Sequence, residues 1–597
     1  MALYGIFGYS FFEDDSAAYI VINPEEHLYE GAAAKFVSSR QVTVEAGECT
    51  KIYAKPDAEE LWYLDLYPLA GAIHARFASI KILKGMILVR LPKGLPGSKW
   101  GRLLGDCCES WRNVAATAPT GHEAGYLACS GAVLAEGPSG YALRQAALAL
   151  VDACRREPLG IVTDAPSLNS FSIFESVGTS ERARVLTRAL EDVRGDRCVG
   201  AMLGMAIADS LGAQFEFIPA GARGHCVDFE TLAIVGATNR FRLEAGQWTD
   251  DTAMALCMAD SLLCRGAYDG SDIRVRFWNW WHRGYNNAFR LDARRSQSVG
   301  LGGNISDSLY AIVDAEPAPR YVVEGSEDAG NGSLMRLAPM PLFFYRNIEL
   351  AVEVSAESSL TTHAGQIAAD ACGLLGFIIA KAMARPTSCT ASAAAFLDGC
   401  REAYLERLEA EAQPTLKRLL LAQEPFGSRE RCWNWRDAKG PYLAETLAAR
   451  GRKYNGYPVD AGYFGSYCID GLALALHCAY HTTSASEAIA RCVNLLGDAD
   501  STGAICGQIV GAFYGAKALD PRLVAAVERW DGGEIALRGA LLFAMGPCAA
   551  DESSSLAALV ASATPCRIKR AREQDDGIAC GQKQPVGNSL VAPRTAP

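Results

Sequence analysis

Small residues recur at every fourth position in two stretches of this chain: Gly200, Gly204, Ala208 and Gly212 in one, Gly503, Gly507, Gly511 and Gly515 in the other. At about 3.6 residues per turn, each row lies along one face of a helix. Glycine inside a helix costs about 0.5 to 1 kcal/mol relative to alanine, so such rows need a compensating gain. Close approach of another helix supplies it. Rows of this kind are familiar from membranes. Here Asp209, Glu216, Asp498 and Asp500 flank them, and no run of about 18 uncharged apolar residues reads as a membrane span. The helices are therefore expected to pack inside a soluble all-α core.

Helical spacing dominates from Glu181 almost to Phe543, interrupted by a polar stretch from Glu424 to Pro458 that reads as an insertion or long loop. Residues 1–163 read instead as a smaller α+β unit. Ala18 to Ile22 is a short apolar run, and Ile80 to Leu91 suggests two strands about Lys84-Gly85, ended by Pro92. Between Tyr141 and Cys154 the spacing is helical, with Leu143, Ala146, Ala147, Leu150, Val151 and Cys154 on one side. No chemical constellation stands out in this unit. Ser, Pro, Asn, Gly and Thr accumulate from Asp164 to Ser180, so 164–194 is expected to be a connection that buries little, ahead of a helical domain at 195–550. Residues 551–597 have the composition of a disordered tail. The Arg567-Ile-Lys-Arg-Ala-Arg572 cluster in that tail leaves a nuclear address open, although a solvated charge run is the simpler reading.

A formal net charge of -11, with 21% charged residues, excludes a global basic field, and nucleic acid is not the expected partner. A substrate carrying a pyrophosphate would need local help from helix N-termini, basic residues or metal ions. Twenty cysteines occur without any Cys-x-x-Cys, and Cys257, Cys372, Cys478 and Cys506 sit in apolar helical runs, which suits buried thiols in a reducing compartment. Met1 to Phe12 lacks a basic flank and runs into Glu13, Asp14 and Asp15. An intracellular, cytoplasmic protein is expected.

The chemistry gathers around the glycine rows. Gly497-Asp-Ala-Asp-Ser-Thr502 precedes the second row, Gln247-Trp-Thr-Asp-Asp-Thr252 precedes another apolar helix, and Glu216 follows the first row. Each Asp-rich segment has the form of a helix N-terminus, where one such residue caps the orphan N–H groups. Capping needs one residue per helix, whereas these helices each present paired carboxylates beside a hydroxyl. Should they meet, five carboxylates share one site, and oxygen-only ligands select hard cations such as Mg²⁺, Mn²⁺ or Ca²⁺ over zinc. The spacing alone leaves open whether they meet. Gly330-Asn-Gly-Ser-Leu-Met-Arg336 is either a simple turn or a Gly-rich anion nest.

These segments, taken in order with Thr362-His-Ala364, resemble the ADP-ribosylglycohydrolase family, which includes dinitrogenase reductase-activating glycohydrolase and the ADP-ribosylhydrolases. The resemblance spans about residues 195 to 545. It implies an all-α ADP-ribosylglycohydrolase-type domain and two magnesium ions, with Mn²⁺ as a substitute. The ligands it implies are Glu216, Thr249, Asp250, Asp251, Asp498, Asp500 and Ser501. Ser501 stands where the family more often has threonine, keeping the hydroxyl. Ile207-Ala-Asp-Ser-Leu-Gly212 departs from the commoner Gly-Asp-Ala-Leu-Gly but retains Asp209. The resemblance further implies substrate contacts at Asn331, Gly332, Ser333 and His363, with Tyr463 of Gly462-Tyr463 beside the adenine or ribose. The reaction implied is hydrolysis of the bond between ADP-ribose and an acceptor, either an ADP-ribosylated protein or a small-molecule conjugate. Glu216 is the candidate for proton transfer and Asp250 the alternative. Two rivals remain: a non-catalytic ADP-ribose-binding or crystallin-like member, and a di-metal phosphohydrolase that would release AMP.

Overall fold

The computed structural model describes residues 143–547 apart from short stretches (155–158, 162–165, 229, 293, 314–315, 324–327, 387–388, 409–413, 456 and 459–462), and the backbone of eight strands between residues 3 and 92. The tail from 551, its basic cluster and Gly462 lie outside the described residues.

The strands are β1 Leu3–Gly5, β2 Tyr9–Glu13, β3 Ala17–Ile22, β4 Tyr29–Ser38, β5 Gln41–Glu48, β6 Leu61–Leu66, β7 Ser79–Leu83 and β8 Met86–Pro92. They form two four-stranded sheets, ordered β1-β6-β5-β4 and β2-β3-β8-β7. Ile80 pairs with Val89 across the antiparallel β7 and β8.

From residue 143 onward the regular structure of the described chain is helical apart from two pairs of two-residue strands, with long irregular segments between some of the helices. Its axis is the pair of glycine helices, Val193–Gly212 and Ala499–Tyr514. They run antiparallel with their glycine rows face to face. A Cβ built on Gly507 would lie 2.1 Å from the Gly204 carbonyl oxygen, and one on Gly511 the same distance from that of Gly200. Only glycine permits this spacing. The seam also fixes register, because Gly212, at the end of the first helix, lies where a Cβ would come within 2.4 Å of the Asp500 Cα. The acidic N-terminus of one helix is thereby set against the Asp209 end of the other.

Other helices wrap this pair. Gln366–Ala384 is long and apolar enough to cross a membrane, but 78% of its most apolar window is buried against its neighbours, as befits a core helix. Residues 143–153 form a helix whose Leu143, Ala147, Leu150 and Val151 join the same core, and Arg144 donates to the Ala544 carbonyl at 3.2 Å. In the stretch read as a connection, Ile173, Phe174 and Val177 are buried, and the helix Thr179–Glu191 follows. Ser172 there donates to Glu534 at 2.8 Å, so polar residues that suggested solvent serve internal turns and anchors.

The polar stretch from Glu424 to Pro458 is packed rather than loose. It buries Trp433 and Trp435 and carries the helix Leu443–Arg450. Arg450 forms a buried ion pair with Asp470, and the Trp433 indole N–H donates to the same carboxylate at 2.7 Å. Periodicity fades here because the buried groups are themselves polar and mutually paired.

Candidate active site

Three helix ends meet at the acid cluster: the C-terminus of Val193–Gly212 and the N-termini of Asp250–Arg265 and Ala499–Tyr514. Asp209 decides what the others are free to do. Its Oδ1 accepts from the Thr249 backbone N–H at 3.0 Å and its Oδ2 from that of Thr252 at 3.0 Å, while the Thr252 hydroxyl donates to Oδ2 at 2.7 Å. The Thr249 hydroxyl lies 2.8 Å from Asp209 Oδ1 and 3.1 Å from Asp251 Oδ2. The Asp250–Arg265 helix is thus capped by a carboxylate from another helix, and Thr249, at the N-cap position, makes no side-chain cap bond. Asp498 at the N-cap of Ala499–Tyr514 makes none either. Capping therefore does not account for Asp250, Asp251 or Asp498.

The carboxylates converge in two groups. Oxygens of Glu216, Asp498 and Asp500 lie within 4.8 Å of one another, as do oxygens of Asp209, Asp251 and Asp500. Asp500 belongs to both. Glu216 reaches the cluster because the chain after Gly212 turns and is held against Gly497, just before the second glycine helix. The Phe217 N–H donates to the Gly497 carbonyl at 3.2 Å, the Gly497 N–H to that of Ile218 at 2.8 Å, and Phe217 takes a left-handed backbone, φ 67°. Asp250 is buried nearby with its carboxylate against the Cα of Gly300, where a Cβ would stand 2.1 Å from Oδ1. Sequence reading did not single out Gly300, nor Asp209 as a capping residue. The retained Asp209 was its only visible trace.

Asp209, Glu216, Asp250, Asp251, Asp498 and Asp500 are all buried, and none forms an ion pair among the described residues. Oε2 of Glu216 and Oδ1 of Asp251 are buried without a hydrogen-bond partner. Burial pushes the Glu216, Asp250, Asp251 and Asp500 carboxyls well above their ordinary range, and the neighbouring acids push them further. Asp498 is also raised by burial, against which Asn331, Ser466 and Ser501 favour its charged form.

The remaining predicted residues divide. Asn331 donates through its side chain to Asp498 at 2.9 Å and to the Gly465 carbonyl at 3.1 Å, so its N–H groups serve the acid cluster. Ser333 is buried and accepts from Ser359 at 2.8 Å. Gly332 lies against the His363 ring, where a Cβ would be 3.0 Å from Cε1. Tyr463 donates to Glu216 Oε1 at 3.4 Å and stacks on Phe217, with ring centroids 5.4 Å apart. The Ser501 hydroxyl lies 3.6 Å from the Met335 sulfur.

Residues 190–549 match the ADP-ribosylglycohydrolase family profile. This chain belongs to the ADP-ribosylglycohydrolase family. It is 28% identical to ADP-ribosylarginine hydrolase Tri1 of Pseudomonas putida (strain GB-1), over 56% of this chain and 74% of that protein. Identity to the ADP-ribosyl-[dinitrogen reductase] glycohydrolase of Rhodospirillum rubrum is 26%, over 54% and 86% of the two chains. To ADP-ribosylhydrolase ARH3 of Mus musculus it is 24%, over 53% and 83%. Membership makes the chain a hydrolase of the glycohydrolase type, with a buried acidic cluster of the composition that holds a metal.

Proposed function

We propose that this chain is a Mg²⁺-dependent ADP-ribosylhydrolase that uses water to cleave the bond between the ribose anomeric carbon and an acceptor, releasing ADP-ribose. The observation that carries this is the pair of buried carboxylate groups sharing Asp500, none of whose acids forms an ion pair among the described residues, with Asp209 capping the Asp250–Arg265 helix in place of Asp250 and Asp251. Buried like charges without cationic partners are costly. Unpartnered oxygens of Glu216 and Asp251, in a set that has no His or Cys, fit hard divalent cations.

On this reading Glu216, Asp498 and Asp500 hold one Mg²⁺, and Asp251, Asp500 and the Thr249 hydroxyl hold a second, with Asp250 and Ser501 completing the set and Mn²⁺ able to substitute. When bound, such ions orient the ribose hydroxyls and make water more acidic. Glu216 is the proton-transfer residue. Tyr463 donates to its Oε1, its Oε2 has no hydrogen-bond partner, and burial together with the neighbouring Asp500, Asp498 and Asp250 raises its pKa well above the ordinary carboxylate range. Asp250, packed against Gly300, is the alternative. His363 and Tyr463 face the ADP-ribose, while Asn331, Gly332 and Ser333 shape the turn beneath it. The acceptor is an ADP-ribosylated protein side chain or a small ADP-ribose conjugate.

Product analysis tests this on ADP-ribosylated arginine, ADP-ribosylated serine and small conjugates, with and without Mg²⁺. The expected product is free ADP-ribose, formed only with the cation. AMP would point to phosphohydrolysis, and binding without turnover to a non-catalytic member.

A further inference from the structure

Gly330-Asn-Gly-Ser-Leu-Met-Arg336 works on two sides at once. Asn331 at its start holds Asp498 of the acid cluster, and Arg336 at its end reaches the segment that carries His363. Arg336 is wholly buried and forms no ion pair with a carboxylate among the described residues. Its guanidinium lies 4.5 Å from the Phe277 ring centroid, and its Nη2 donates to the Thr362 hydroxyl at 2.6 Å and to that of Thr361 at 3.3 Å. The Thr362 Oγ1 in turn lies 2.8 Å from His363 Nδ1.

Direction follows from what each group is able to do. A guanidinium only donates, so the Thr362 oxygen accepts from it and keeps one proton to give. Nδ1 of His363 is the acceptor within reach. The opposite arrangement, with a proton on Nδ1, would leave the Thr362 hydroxyl proton without an acceptor in a fully buried place, at the cost of an unmade hydrogen bond. His363 Nε2 has no partner among the described residues, although the side chain is only 1% exposed, and it lies where a Cβ on Gly332 would come within 3.2 Å.

We infer that Arg336 and Thr362 are positioning residues that lock His363 as the neutral Nε2–H tautomer, a fixed hydrogen-bond donor to an acceptor-only ligand oxygen, of which a diphosphate oxygen is the fitting class. This rests on the reading that His363 faces ADP-ribose. The relay excludes His363 as the base and as a metal ligand, because both roles need a bare Nε2. Burial and the Arg336 charge hold its pKa down at about 3, which keeps the ring neutral at working pH.

Nitrogen-15 spectroscopy of histidine-labelled full-length protein reads the tautomer directly, with the His363 signals assigned by their loss in His363→Gln. The relay predicts a protonated Nε2 and a bare, hydrogen-bonded Nδ1 before any ligand is added. A protonated Nδ1, or averaging between tautomers, overturns it. ADP-ribose should shift the Nε2–H resonance. Its affinity should fall about 10-fold or more in Thr362→Val, as for a lost hydrogen bond to a charged group, and recover in Thr362→Ser. Parent-like affinity in a Thr362→Val protein with an unchanged melting temperature contradicts the positioning role. Unchanged affinity in His363→Gln removes the ADP-ribose contact itself, whichever tautomer the parent shows.

Discussion

At the N-terminus of a helix an aspartate is ordinarily a cap, and Asp209 releases Asp250 and Asp251 from that duty by capping their helix from another one. The two roles separate by mutation. Asp251→Asn and Asp250→Ala should lower turnover by about 100-fold or more, the scale seen when electrostatic stabilisation of a transition state is lost, with little loss of stability. A capping role predicts the reverse, about 0.5 to 2 kcal/mol of lost stability with normal turnover. Asp209→Asn should behave differently from both, because an amide cannot replace all the acceptor positions used by Thr249 and Thr252. Urea unfolding in Mg²⁺ should show a loss of about 1 to 3 kcal/mol, as for buried donors left unpaired. An unchanged midpoint would deny Asp209 the cap. The sequence displayed the acids Glu216, Asp251, Asp498 and Asp500 openly, since they stand in short local motifs. It hid the partners of Asn331 and Asp209, since those hydrogen bonds join residues 167 and about 40 positions apart.

The glycine seam belongs to the scale of elements, and it was the most legible feature of the fold because a row of glycines has few other uses inside helices. What the rows could not announce was their antiparallel register, which sets Gly212 against Asp500 and so assembles the cluster. Gly507→Ala places a methyl group 2.1 Å from the Gly204 carbonyl oxygen. The backbones must part, at a cost of about 1 to 3 kcal/mol for overpacking, and metal affinity should fall with stability. Gly399→Ala is the control. Gly399 is exposed in the helix Ala393–Arg407 with nothing within 4 Å of a built Cβ, so the same change should stabilise by up to about 1 kcal/mol in thermal melts. Equal behaviour of the two variants would contradict the seam.

For the whole molecule, the family profile begins at residue 190, yet the core takes in the helix at 143–153 and Phe174. A fragment 140–550 should therefore melt higher than 190–550, which lacks the buried Phe174, Val185 and Ala189 and so uncovers the core surface they pack on. Equal melting temperatures would show the earlier residues to be dispensable. That packing escaped sequence reading because Ser, Asn and Thr in internal turns look the same as in solvated connections. The acid cluster also sets the pH response. Carboxyls whose folded pKa is raised contribute stability below the ordinary carboxylate range, and it is lost as pH rises through the raised values. Metal-free protein should thus melt lower as pH goes from acid to neutral, and Mg²⁺ should offset that fall by binding the folded state alone. A metal-free melting temperature that rises over the same range would mean the acids are already compensated. The central claim is that one shared carboxylate organises a two-cation centre, and calorimetric titration of the chelated full-length protein with Mn²⁺ tests it most directly. Two ions should bind the parent chain, and Asp500→Asn should lose both together with ADP-ribose release. A parent that binds no Mn²⁺, or an Asp500→Asn protein that binds as the parent does, would contradict it.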